Sequence, residues 1–177
     1  MTLSTFADAC AWAAVMHAGQ RRKGPDAEPY VNHVLDVARR AAAGSADPET
    51  ITAAVLHDVV EDTTGTRADI AARYGERVAA LVMEVTDDKG LAWEERKRLQ
   101  VERAPGKSDG AKRIKLADLA SNMAAMAHAA PVEWDAARCA RYVAWGEAVA
   151  DGCRGVNAVL EAAFDEAAAK ARAAYPG

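Results

Sequence analysis

A histidine and three acids fall within six residues of an otherwise apolar run, Ala54-Val55-Leu56-His57-Asp58-Val59-Val60-Glu61-Asp62. On one continuous helix His57 stacks over Glu61 and Asp58 over Asp62, with all four groups inside an arc of about 140°. Taken alone, that pattern fits a solvated polar face as well as a site. Two further positions supply what it lacks. His33 stands in Tyr30-Val31-Asn32-His33 at the start of a helix, and Asp118 ends Ile114-Lys115-Leu116-Ala117-Asp118 among apolar residues. His33, His57, Asp58 and Asp118 together offer two imidazoles and two carboxylates, a set suited to a divalent first-row cation such as Mn or Fe, with Zn also compatible. It lacks the thiolates of a structural zinc site, so a catalytic metal is the reading. Plainer roles exist singly: His33 as a helix cap, Asp118 as a partner for Lys115. Glu61 and Asp62, one turn on, are placed to orient and deprotonate an attacking water, while the metal lowers that water's pKa and screens phosphate charge. Asp87 and Asp88, before Lys89-Gly90 and without a neighbouring histidine, read as turn residues.

Arg21-Arg22-Lys23 precedes His33 by about ten residues and can fold over the same site. Arginine grips phosphate through two parallel hydrogen bonds or lies on a purine ring, and lysine acts as a point charge. Arg138 and Tyr142 are spaced i and i+4 and share a helix face. Trp12, Trp93, Trp134 and Trp145 read as packing anchors.

The elements that must position these groups are helices. The chain has 177 residues and suits one domain. It is rich in alanine, with short β-branched runs and with Gly and Pro between periodic segments, so an all-α domain is expected. Helices are predicted near 3–19, 31–43, 48–61, 66–73, 75–88, 92–103, 107–128, 132–150 and 153–173. Asp47-Pro48 and Thr66…Asp69 are start signals, and Gly44, Gly65, Gly75 and Gly90 supply breaks. The tail from Ala162 to Ala174 should close the fold, fraying at Tyr175-Pro176-Gly177. Cys10, Cys139 and Cys153 form no metal-ligand spacing and read as reduced packing thiols of a cytoplasmic protein. A net charge of −4 argues against a general nucleic-acid surface. No apolar run is long enough to span a bilayer, and no signal peptide opens the chain.

The motifs in order, Gln20-Arg21-Arg22-Lys23, Pro29-Tyr30-Val31-Asn32-His33, Leu56-His57-Asp58 through Glu61-Asp62-Thr63, Glu84-Val85-Thr86-Asp87-Asp88-Lys89, Glu95-Arg96-Lys97-Arg98-Leu99-Gln100 and Lys115-Leu116-Ala117-Asp118, resemble the HD-domain hydrolases of the RelA/SpoT homologue superfamily. Within it they resemble the stand-alone small alarmone hydrolases of the Mesh type. The resemblance implies an HD-domain helical bundle with a central metal site, one Mn ion, and hydrolysis of the 3′-diphosphate of ppGpp or pppGpp to GDP or GTP plus pyrophosphate, as in the stringent response. It implies His33, His57, Asp58 and Asp118 as ligands, Glu61 and Asp62 as catalytic acids, and Arg22, Lys23, Asn122, Arg138 and Tyr142 around the nucleotide. It also implies a single hydrolase domain over 1–177 with no synthetase domain.

The chain departs from the family pattern after Asp118, where Leu119-Ala120-Ser121-Asn122-Met123-Ala124 loses two basic positions and an aromatic one. That departure keeps other substrates open: ppApp, or the 2′-phosphate of NADPH. A toxin partner, with this chain as antitoxin to a small alarmone synthetase, a homo-oligomer, and an inactive nucleotide-binding HD module also stay open. The departure places the choice of nucleotide on Leu119 through Ala124.

Overall fold

Helix-forming stretches punctuated by caps and glycines fold, in the computed structural model, into ten α-helices; the structure describes residues 1–44 and 47–176. They are α1 (Leu3–Met16), α2 (Val31–Gly44), α3 (Pro48–Leu56), α4 (Val59–Asp62), α5 (Arg67–Tyr74), α6 (Glu76–Val85), α7 (Trp93–Arg103), α8 (Asp109–His128), α9 (Ala136–Asp151) and α10 (Ala158–Ala174). Among the described residues there is no strand, only one isolated bridge between Arg21 and Pro29. The all-α expectation holds. No described helix is long and apolar enough to cross a membrane.

The predicted start signals act as read. Asp47 accepts the Glu49 N–H at 3.1 Å with Pro48 in the first turn, and Thr66 and Asp69 form a reciprocal capping box. Gly75 takes φ +93°, a left-handed backbone that L side chains rarely adopt, and this separates α5 from α6. The tail ends differently from the expectation. Tyr175 packs against the core and its hydroxyl accepts the Ala130 N–H at 3.3 Å, so the closing helix is pinned; Gly177 lies outside the described residues.

Helix α8 is the axis of the fold. It packs against α2, α3, α6, α9 and α10, and eleven of its residues, Ala111 to Met126, are buried. Ile114, Leu116, Leu119 and Met123 from α8 join Phe164 and Leu160 from α10, each burial contributing about 1.5–3 kcal/mol. Gly146 lets α9 approach closely, since a Cβ there would lie 2.6 Å from Met123 Cε. Cys139 and Cys153 are buried free thiols, as expected of packing residues.

One predicted element is divided. The segment 48–61 is not a single helix: α3 ends at Leu56, Asp58 sits at φ −97° and ψ −4°, and α4 restarts at Val59. His57 and Asp58 form the joint and Glu61 and Asp62 the next short helix, so the four groups do not share the face of one helix.

Candidate metal centre and adjoining cavity

Each member of the predicted ligand set reaches the centre from a different support. His33, in the first turn of α2, is 4% exposed and lies with its Nδ1 3.1 Å from Ser121 Oγ on α8. It is not a helix cap. His57 is also 4% exposed, and its Nδ1 lies 2.9 Å from the Ala54 carbonyl. A carbonyl only accepts, so Nδ1 is the donor there and Nε2 is the nitrogen left to face the carboxylates. Asp58 is fixed by Tyr30, whose hydroxyl donates to Oδ2 at 2.6 Å. Asp118 projects from α8, where Asn122 Nδ2 donates to its Oδ1 at 2.6 Å and Lys115 Nζ lies 3.3 Å from its Oδ2.

Ligand atoms of His33, His57 and Asp58 all lie within 4.8 Å of one another. The two imidazole Nε2 atoms stand 3.7 and 3.1 Å from Asp58 Oδ2, and 3.4 and 3.9 Å from Asp118 Oδ1. His57 Nε2 is buried and has no hydrogen-bond partner. Two imidazoles whose outer nitrogens are engaged, with inner nitrogens turned toward carboxylate oxygens, are a donor set for a cation. Electrostatics agree. Burial alone lowers the basicity of both histidines, and it does so for His33; at His57 the charges of Asp58 and Asp118 overcome it and raise the pKa to about 9. Burial alone raises a carboxyl, yet His57 holds Asp58 below the usual range, and Lys115 with the histidines does the same for Asp118. The residues present fit a divalent metal.

Glu61 and Asp62 are held beside this centre by other contacts. Glu61 Oε2 accepts the Asp87 N–H at 2.9 Å and Oε1 lies 3.6 Å from Arg96; burial, then the charge of Asp87, raises its pKa. Asp62 pairs with Lys89, and its carbonyl accepts from Gln20 Nε2 at 2.6 Å. Gln20 in turn meets His17 Nδ1 at 2.7 Å, which ties the joint of α4 to the end of α1. Asp88 has its expected turn role, accepting the Gly90 N–H at 2.8 Å. Asp87 does more than turn the chain: between Gln100 and Glu61 it connects α7 to α4.

A cavity of about 560 Å³ opens from the centre; Tyr30, Asp62 and Asn122, which bond to or belong to the site, form part of its wall. Its size falls within the range of small-molecule sites, about 300–1,000 Å³. Arg22, Lys23 and Tyr142, expected around a nucleotide, line it, and Arg22 Nη2 donates to Asn122 Oδ1 at 3.0 Å. The basic loop is ordered, with Arg22 N–H donating to the Glu28 carbonyl at 2.8 Å and Tyr30 N–H to that of Gln20 at 3.0 Å. Arg138 is not a lining residue. It starts α9, and its guanidinium lies 4.5 Å from the centroid of Trp134, which it braces.

Trp134 and Trp93 line the cavity; Trp134 also packs against the core as expected, whereas Trp93 is exposed and is a wall residue only. Trp12 does pack, against Tyr74 and Arg73. The altered segment after Asp118 also differs from expectation. Leu119, Ala120, Ser121 and Met123 are buried in the core, and of the run only Asn122 lines the cavity. Helical periodicity turns those four inward, and Ala124 lines a different cavity. Ser121 orients His33 instead. Tyr30, Lys97, Gln20 and Ser121 were not assigned roles from sequence; each works across a separation in chain that no local spacing encodes.

The fold and the centre define a class, a helical bundle with a buried His–Asp cluster that could hold a cation, beside a cavity lined by charged and aromatic residues. Residues 9–143 match the HD domain, and the chain belongs to the HD-domain family. It is similar to the guanosine-3′,5′-bis(diphosphate) 3′-pyrophosphohydrolase MESH1 of Homo sapiens, with 45% identity over 159 residues and 89% of each chain covered. MESH1 of Drosophila melanogaster is 44% identical over 163 residues, 91% of each chain. A solved structure, described as a metazoan ortholog of SpoT that hydrolyzes ppGpp and plays a role in starvation responses, superposes with a TM-score of 0.90. It is 43% identical, over 94% of this chain and 95% of that one.

Proposed function

We propose that this chain is a divalent-metal-dependent phosphohydrolase that removes the 3′-diphosphate of ppGpp or pppGpp, giving GDP or GTP and pyrophosphate. The observation that carries the reading is the unpartnered Nε2 of His57 among His33, Asp58 and Asp118, at the edge of a cavity lined by Arg22, Lys23 and aromatic rings. The names of the relatives point to the same reaction. His33, His57, Asp58 and Asp118 would hold one ion, Mn2+ in our reading, because two imidazoles and two carboxylates suit a borderline first-row cation. Bound there, the ion supplies charge screening and a more acidic water.

The remaining work belongs to side chains. Glu61 and Asp62 orient the water and take its proton, and the raised pKa of Glu61 makes it a stronger base than an ordinary glutamate. The water oxygen bonds to phosphorus as the bond from phosphorus to the ribose 3′-oxygen breaks, and that oxygen takes up the proton that the acids removed from the water. Arg22 and Lys23 hold phosphate oxygens, and Tyr142, Trp134 and Trp93 provide faces for the base. The 177 residues act as one hydrolase domain.

The direct test is release of pyrophosphate from ppGpp by purified protein with Mn2+, beside His57→Ala. Release by the wild type and loss in the variant is expected. No release from either protein overturns the proposal.

A further inference from the structure

Four cations surround the acidic centre with partners of their own. Lys115 lies 3.3 Å from Asp118, Arg96 lies 3.6 Å from Glu61, Lys89 pairs with Asp62, and Arg22 donates to Asn122 at 3.0 Å. Lys97 is arranged differently. It projects from α7 into the wall of the cavity, and among the described residues its ammonium makes no hydrogen bond and has no carboxylate within ion-pair distance. Aromatic rings hold it: Nζ lies 3.5 Å from the centroid of Trp145, 5.6 Å from Tyr142 and 5.9 Å from Trp93. Trp145 is itself fastened to α7, because its indole N–H donates to the Lys97 carbonyl at 3.2 Å.

The placement is costly. Burial, and then the charge of Lys115, pulls the pKa of Lys97 down to about 8 from an ordinary 10.5, so the fold disfavours the charged form it still carries at neutral pH. Asp87, Asp118 and Glu61 act on the same ammonium in the opposite sense, and Lys97 lines the same cavity as Asp62 and Asn122. Aromatic faces orient an ammonium without occupying its N–H donors. The result is a positioned, partly desolvated cation with donors left for an anion.

We infer that Lys97 is a substrate-binding residue that grips a phosphate of the nucleotide's 3′-diphosphate at the metal centre, opposite the Arg22–Lys23 loop. This rests on the proposed phosphohydrolase reading. Arg22 and Lys23 lie on the loop before α2 and Lys97 on α7, so phosphate would be held from two sides of the cavity. A phosphate also supplies the negative partner that the protein does not provide to Lys97.

The test compares wild type, Lys97→Met and Lys97→Arg in three measurements: KM and kcat for ppGpp with Mn2+, calorimetric affinity for inorganic pyrophosphate and for GDP with Mn2+, and Tm. Loss of one charge-assisted hydrogen bond predicts that Lys97→Met raises KM for ppGpp and weakens pyrophosphate about 10- to 100-fold. Lys97→Arg should recover part of both, GDP affinity should be unchanged, and Tm should not fall. An unchanged KM with a lowered Tm means that Lys97 only staples α7 to α9, and overturns the inference. An equal loss for GDP and pyrophosphate places the lysine on the 5′ side and also overturns it. Should wild type release no pyrophosphate from ppGpp, the reaction assignment fails, while the pyrophosphate affinities still decide the role of Lys97.

Discussion

Removing the divalent cation should lower stability by a measurable amount, because the centre gathers buried imidazole nitrogens and carboxylate oxygens around one point. His57 Nε2 is the clearest case, buried and facing a carboxylate oxygen 3.1 Å away. A ligand that binds only the folded state stabilises it by RT ln(1 + [L]/Kd), about 2.7 kcal/mol at a hundredfold excess over Kd. For a chain of 150–250 residues each kcal/mol moves Tm by roughly 2–4 °C, so saturation should raise Tm by about 5–11 °C over chelated protein. The assay is thermal unfolding with EDTA and then with Mn2+, Fe2+, Zn2+ and Mg2+ added across a concentration series. Two imidazole donors favour Mn, Fe and Zn over Mg, which prefers oxygen ligands. His57→Ala also frees the Ala54 carbonyl and lowers the baseline, so the quantity to compare is the metal-induced shift within each protein. A wild-type Tm that ignores every cation, or a His57→Ala shift equal to that of wild type, refutes the assignment of these residues as ligands.

Three further outcomes are expected. Ser121→Ala removes the group that orients His33 and should weaken Mn2+ binding about 10- to 100-fold, read by metal titration of Tm or calorimetry, with little change in global fold. Gln20→Leu leaves the Asp62 carbonyl unsatisfied at the α4 joint; it should cost about 1–3 kcal/mol in denaturant unfolding and lower kcat more than it raises KM, because Gln20 positions Asp62 without facing substrate. The KM of wild type for ppGpp should rise as pH passes about 8, where Lys97 loses its charge, and Lys97→Arg should remove that rise. The sign follows from a lysine pKa lowered from 10.5: binding is present below about 8 and lost above it, and the groups that act on Lys97 are Lys115 and Asp118 from α8, Asp87 before α7, and Glu61 from α4.

How much was legible in the sequence depended on whether the signal was local. Caps are local, and Asp47-Pro48 and Thr66…Asp69 start α3 and α5 as read. The four ligand candidates could be named because His and Asp amid apolar neighbours are rare and their types suit a cation. Their convergence on one centre is a property of packing around α8. The joint at His57–Asp58 was not legible. No glycine or proline marks it, and the contacts at the joint come from the His57 side chain on Ala54, from Tyr30 on Asp58 and from Gln20 on Asp62. The places of Trp93 and Lys97 were not legible for a related reason, since a helix face can be read from spacing but the void it borders cannot.

The break between α3 and α4 also explains why one short acidic segment can serve two purposes. On an unbroken helix the side chains of Asp58 and Asp62 would stack and compete for the same cation, as would His57 and Glu61. The bridge-region backbone at Asp58 ends that register. His57 and Asp58 then answer to α2 and α8, through His33, Tyr30 and Asp118, while Glu61 and Asp62 answer to Asp87, Arg96, Lys89 and Gln20. Two neighbouring groups of carboxylates thus acquire separate electrostatic surroundings. Asp58 is held ionised by His57 while burial pushes Glu61 up, the division of labour that a cation ligand and a proton acceptor require.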